Sequence, residues 1–119
     1  DKLFIREMNQ PDITFVVRGE PVINDATMDD SEYIGMKDVA NVISNGYDAP
    51  STIPHKSNKQ FQKYFREADL IISKGQGNLE GLFPLNDKRI FFLLMVKCDV
   101  MAEFLKVKKS SLVVYNNAC

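Results

Sequence analysis

Residues 89–96, RIFFLLMV, form a near-continuous apolar run, and that run constrains the fold more than any other segment. So apolar a stretch reads as a strand buried on both faces, which requires other elements to cover each side. It is far too short to span a bilayer. Around it, strand-like and helix-like signals alternate along the chain.

Leu3, Phe4 and Met8 give a partial helical stripe over residues 2–9. Residues 12–18, DITFVVR, are β-branched and aromatic and read as a strand, followed by the turn signal Gly19-Glu20-Pro21. Val22-Ile23 is a candidate for a second short extended piece. Thr27 is placed to cap a helix over 28–34, with Asp29 and Asp30 in the first turn, where the helix dipole favours carboxylates. Gly35 breaks that helix. Met36, Val39, Ala40 and Ile43 share one face at helical spacing, which predicts a second short helix over 36–43 with Asn45-Gly46 as its stop. Residues 46–56, with Pro50 and Pro54, read as a loop. Ser57 and Gln60 have capping-box spacing for a helix through Ala68 whose apolar face is Phe61, Tyr64 and Phe65. A strand over 69–73, a short helix near 78–82, the strand at 89–96, a helix over 100–105 and a last strand at 112–115 complete the order.

Strands alternating with helices indicate βαβ units and an α/β fold. The expected architecture is a mostly parallel sheet with helices on both faces, a Rossmann-like three-layer arrangement. Right-handed crossovers then put the strand-to-helix loops on one edge of the sheet, where ligands of open α/β folds bind. Two loops there carry chemistry: Asn24-Asp25-Ala26-Thr27 and Lys74-Gly75-Gln76-Gly77-Asn78. The second follows the apolar run Leu70-Ile71-Ile72 and offers a cation, two glycines and two amide side chains, the outline of a phosphate or carboxylate site. A turn shaped by Gly75 and Gly77, with Lys74 as a solvated strand-end charge, weighs slightly more on the pattern alone.

The first loop presents the Asp25 carboxylate beside the Asn24 amide. Together the loops suit a phosphorylated ligand and a divalent metal. Mg²⁺ takes oxygen ligands, usually one or two carboxylates with phosphate oxygens and water. Asp25 would be such a ligand, Asn24 could add its carbonyl, and Lys74 with the loop amides would hold the remaining phosphate oxygens. An Asx-turn or cap before the helix reads Asn24-Asp25 equally well. Asn78 either orients a substrate or caps the following helix. Asp29, Asp30 and Glu32 read as helix-start carboxylates, His55 as an exposed loop residue, and Lys106, Lys108 and Lys109 as a solvated turn. Tyr33, Tyr47 and Tyr64 read as packing residues.

At 119 residues the chain is one domain at most, with a formal net charge of -1 that gives no sign of a nucleic-acid surface. Cys98 and Cys119 are too few for a disulfide scaffold, and Cys98 reads as a reduced, buried thiol. No signal-peptide pattern opens the sequence. A cytoplasmic location without membrane attachment is expected.

Three blocks, PVINDAT at 21–27, ADLIISKGQGNLEGL at 68–82 and FFLLMVKCDVMAEFLKV at 91–107, resemble the DUF89 family of metal-dependent damage-control phosphatases, in the compact prokaryotic branch. The likeness covers nearly the whole chain. It implies that Asp25 is a metal ligand, that Lys74 contacts the substrate phosphate, and that Gly75 and Asn78 complete a Lys-Gly-x-x-Asn motif. Asn24 and Thr27 flank the metal ligand and would orient it. The implied metal is Mg, Mn, Co or Ni, and the implied reaction is hydrolysis of a small phosphate monoester such as a sugar phosphate or a damaged phospho-metabolite.

The family's Asp-Asn metal pair sits in a motif resembling DNAGEIVFD, of which Asp1-Lys2-Leu3 looks like the tail. Residues 1–119 are therefore expected to be the carboxyl-terminal part of a family member, weak in activity without the upstream loop. A truncated sheet would leave strand edges exposed, which raises the chance of self-association. Two other readings stand beside the phosphatase: a non-catalytic α/β module binding a phosphorylated ligand or nucleotide, and a structural half-domain whose Lys-Gly loop is only a turn.

Overall fold

Thr27 starts the best-defined helix of the amino-terminal half. Its backbone N–H donates to Asp30 Oδ2 at 2.9 Å, and its Oγ1 accepts from the Asp30 N–H, a complete capping box. The computed structural model describes residues 1–22 and 25–117. It divides them into two compact units, one of Asp1–Pro50 and Pro54–Glu67, the other of Ser51–Ile53 with the residues from Ala68 onward.

In the first unit, α1 (Lys2–Met8), β1 (Thr14–Val17), α2 (Met28–Tyr33), β2 (Asn41–Ser44) and α3 (Lys59–Glu67) follow in order. β1 and β2 are parallel, with Thr14 opposite Asn41 and Val17 opposite Ser44. Ile5, Val17, Met36, Ile43 and Phe61 form the buried apolar core of this unit.

Two expectations need correction here. Residues 36–43 are not a helix. Gly35 takes a left-handed conformation (φ 68°), Met36–Asp38 make one 3-10 turn, and the chain then extends into β2. The helical spacing of Met36, Val39, Ala40 and Ile43 loses to pairing with β1, which seats Ile43 opposite Val16. Asn45-Gly46 consequently ends a strand. The cap of α3 is Asn58 rather than Ser57: Asn58 Oδ1 accepts from the Phe61 N–H at 2.8 Å.

The second unit contains β3 (Ile71–Lys74), α4 (Gln76–Leu82), β4 (Ile90–Met95), α5 (Asp99–Leu105) and β5 (Leu112–Asn116), with strand order β3-β4-β5. β3 and β4 are parallel, whereas β4 and β5 are antiparallel. The reversal begins at the end of α5. Lys106 is left-handed (φ 57°), as is Ser110 (φ 72°), and the Ser110 N–H donates to the Val96 carbonyl at 2.7 Å. β5 therefore starts where β4 finishes. The chain is α/β, and the described strands form two sheets, one parallel and one mixed.

The apolar run at 89–96 does become the central strand of its sheet, but its burial alternates. Ile90, Phe92 and Leu94 are buried, while Phe91 and Leu93 are half-buried. On the buried side Phe92 packs near Tyr115, and Phe83 lies 5.0 Å from Phe104 and 6.1 Å from Tyr115, ring centre to ring centre. On the other side Met95, Leu112 and Val114 are 48%, 81% and 72% exposed. The cover on both faces that the run suggests is thus incomplete within this unit.

At the amino ends of β3 and β4, Asp87 and Arg89 form a forked ion pair, Nη2 to Oδ2 at 2.7 Å and Nε to Oδ1 at 3.1 Å. Arg89 Nη1 also donates to the Ala68 carbonyl at 2.7 Å, tying the entry of β3 to that of β4. These donors hold the Asp87 carboxyl below its ordinary value of 3.8, against the opposing effect of burial. No helix among the described residues is long and apolar enough to cross a membrane.

Candidate functional site

β1 ends at Val17, so Arg18 and the following loop emerge at the carboxyl end of a parallel pair. The loop closes on itself. The Arg18 N–H donates to the Ala26 carbonyl at 2.8 Å, and the Asp25 N–H donates to the Val22 carbonyl at 2.9 Å. These bonds set Asp25 beside Arg18, whose Nε and Nη2 both reach Asp25 Oδ2, at 3.2 and 3.1 Å. The Arg18 side chain is 6% exposed and that of Asp25 is 37% exposed, so the carboxylate stands between a buried cation and solvent. Asn24 lies outside the described residues.

The neighbouring strand end supports this loop. Asn45, buried after β2, accepts at Oδ1 from the Gly19 N–H at 3.1 Å and the Tyr47 N–H at 2.9 Å. The Gly19 N–H also donates to the Tyr47 carbonyl at 3.1 Å. A Cβ on Gly19 would lie 2.6 Å from Gly46 C, so this close approach requires glycine.

In the second unit, Lys74 is exposed at the carboxyl end of β3, where α4 begins. Gly75 has φ 95° and ψ 152°, a backbone state confined to glycine, and its N–H donates to the Leu93 carbonyl at 2.9 Å. That amide is committed to the sheet, so Gly75 acts through the shape of the turn and does not donate to an anion. Asn78 does not cap α4 through its side chain. Its Nδ2 donates to the Lys74 carbonyl at 2.9 Å, while its Oδ1 accepts from Thr52 N at 3.0 Å and Thr52 Oγ1 at 2.7 Å. Asn78 thereby fixes the backbone of Lys74 to the 51–53 segment. Gln76 joins the two strand ends, since its Oε1 accepts from the Lys97 N–H at 3.0 Å and its Nε2 donates to Cys98 Sγ at 3.4 Å.

Lys74, Gly75 and Asn78 therefore form one cluster, as the spacing suggests, and Asp25 forms another with Arg18. Arg18 and Thr52 are residues that sequence reasoning missed; Asn45 reads there only as a stop signal, and Gln76 only as one of the loop's two amides. The turn chemistry of Asn45-Gly46 was legible as punctuation but pointed to a helix end. Arg18 carried no spacing signal, because its partner lies seven positions away across an irregular loop.

The donors available to a divalent cation in the first cluster are oxygens of Asp25. The ion pair uses Oδ2 and leaves Oδ1 outside it. A carboxylate oxygen is a suitable ligand for a hard cation. Among the described residues no three His, Cys, Asp or Glu side chains gather closely enough to hold a metal by themselves.

The model of the damage-control phosphatase ARMT1-like domain matches residues 1–113. A damage-control phosphatase of Pyrococcus horikoshii is 41% identical over 113 residues, which span 95% of this chain and 39% of that protein. A damage-control phosphatase of Archaeoglobus fulgidus is 34% identical over 116 residues, 95% of this chain and 40% of that protein. The crystal structure of a DUF89 family protein from Pyrococcus horikoshii superposes with a TM-score of 0.88 at 40% identity, covering 98% of this chain and 41% of that one. The chain spans about two fifths of the length of the curated relatives it matches.

Proposed function

The chain belongs to the family of damage-control phosphatases with an ARMT1-like domain, and on that premise we propose that the protein carrying it hydrolyses small phosphate monoesters with the help of a divalent metal. The relatives' names support a phosphatase-type role, and membership of the family suggests metal dependence. The observation that carries the proposal is the partly exposed Asp25 carboxylate, fastened at the end of a parallel strand pair with one oxygen outside its ion pair.

In this proposal Asp25 is a metal ligand, with Asn24 beside it as an outer group. The bound metal would stabilise charge on the phosphoryl oxygens or lower the pKa of a water. Lys74 is the phosphate-contacting cation: a compact, mobile ammonium suits an oxygen whose charge grows as the bond to the leaving group breaks. Gly75 supplies the turn that presents Lys74, and Asn78 holds the Lys74 backbone. Catalysis of this kind rests on positioning and charge stabilisation more than on covalent chemistry by the protein. The carboxyl-terminal placement of these residues within a longer phosphatase, with further ligands from an upstream Asp-Asn loop, is part of the same proposal.

The test is phosphate release from a panel of sugar phosphates by the full-length protein carrying this chain, with Mg²⁺, Mn²⁺, Co²⁺ or Ni²⁺. Asp25→Ala and Lys74→Ala should each lower kcat/KM by roughly 100-fold or more, the loss typical of removing a group that stabilises developing charge. Activity unchanged in Asp25→Ala removes the metal-ligand role. Phosphate-ester binding that persists unchanged in EDTA, without turnover, favours a non-catalytic binding module instead.

A further inference from the structure

Arg18 is more than a strand-end charge. Its guanidinium is almost completely buried, and a buried cation is tolerated only when it is paired and hydrogen-bonded. The chain meets that need with Asp25, the carboxylate in its own loop. Two of its donor nitrogens, Nε and Nη2, converge on one oxygen, Oδ2, at 3.2 and 3.1 Å. A fork aimed at a single oxygen restrains that oxygen while the second stays outside the pair. The backbone reinforces the arrangement, because the Arg18 N–H is bonded to the Ala26 carbonyl, next to Asp25 in sequence.

We propose that Arg18 is a positioning residue for Asp25, holding Oδ2 so that Oδ1 is presented to a divalent cation. The inference rests on the metal-ligand role proposed for Asp25. It gives Arg18 a task that suits lysine poorly: an ammonium carries the same charge but lacks the rigid pair of donors that converges on Oδ2. Groups that hydrogen-bond a ligating side chain typically contribute about 10–100-fold to metal affinity.

The experiment measures Mn²⁺ affinity of the full-length protein carrying this chain, by calorimetry and by the electron-spin signal of free Mn²⁺. Arg18→Lys, Asp25→Asn and the double variant are compared with the parent, and circular dichroism monitors folding. Arg18→Lys should weaken Mn²⁺ binding by about 10-fold or more while the spectrum is retained. Asp25→Asn should lose the site, and adding Arg18→Lys to it should change nothing further. A merely structural Arg18 would lower the unfolding midpoint in both backgrounds while leaving the Arg18→Lys affinity for Mn²⁺ equal to the parent's, and that equality overturns the proposal. Where Arg18→Lys fails to fold, the parent's Arg18 Nε–H resonance decides. On titration with Mg²⁺ it should shift and remain slowly exchanging; a resonance that does not move, or is lost to solvent exchange, overturns the role. Parent-like Mn²⁺ affinity in Asp25→Asn, or no Mn²⁺ binding by the parent, removes the metal-ligand reading as well. Loss in Asp25→Asn with no change in Arg18→Lys removes only the role of Arg18.

Discussion

Asp87 illustrates how a single side chain ties stability to pH. Its carboxylate accepts from the Arg89 side chain and from the Arg89 N–H, and its pKa is lowered chiefly by that side-chain hydrogen bond. A depressed carboxylate contributes stability above its unfolded value, and the contribution is lost as pH falls through the folded value. The Arg89 guanidinium is raised by the same pair, so both partners agree in direction. Asp87→Asn should therefore lower the urea midpoint at about pH 6 and make little difference at about pH 2. A gap between parent and variant that does not shrink on acidification refutes the linkage. At this scale the sequence was legible where a residue's task is local. Thr27 was readable as a cap because its partner Asp30 lies three positions on. The pairing of Arg18 with Asp25 and the bond from Thr52 to Asn78 were not readable, because each depends on how the backbone folds between the partners.

Among the elements, β2 shows why short apolar patterns mislead. Four residues at helical spacing also fit a brief 3-10 turn followed by a strand, and only the pairing partner decides. β4 was readable as a strand from its length and apolarity. Its uneven burial was not, since that depends on which side Phe83 and Phe104 occupy. The junction of β3 and α4 carries its own prediction. Gly75 adopts a backbone state that other residues reach only at a cost, and an added Cβ would meet nothing within 4 Å. The penalty for Gly75→Ala is thus conformational alone, about 1–3 kcal/mol. It should appear as a lower unfolding midpoint, together with displaced Lys74 and Gln76 amide resonances. A variant as stable as the parent would show that the turn relaxes without strain.

For the molecule as a whole, the alternation of strand and helix signals sufficed for the α/β class, and the order of three sequence blocks sufficed for the family resemblance. The division of strands between two sheets and the reversal of β5 were hidden, because left-handed Lys106 and Ser110 carry no glycine signature that would mark the turn. That reversal has a colloidal consequence. β5 is the outer strand of its sheet, reads Leu-Val-Val-Tyr-Asn, and exposes Leu112 and Val114. An uncharged outer strand of this kind is a template for another chain unless nearby charges act as gatekeepers. With a net charge of -1 the molecule has little overall repulsion, which leaves Lys106 and Lys108, just ahead of the strand, to supply it, Lys109 being paired with Asp99 at 3.7 Å. Such repulsion fades once salt shortens the Debye length to about 8 Å and below. Light scattering should therefore rise with added NaCl, and Leu112→Lys should abolish the rise; scattering indifferent to salt would acquit the strand. Solubility in this protein would then be governed by two lysines in a turn, and ionic strength would set how long a concentrated solution stays clear.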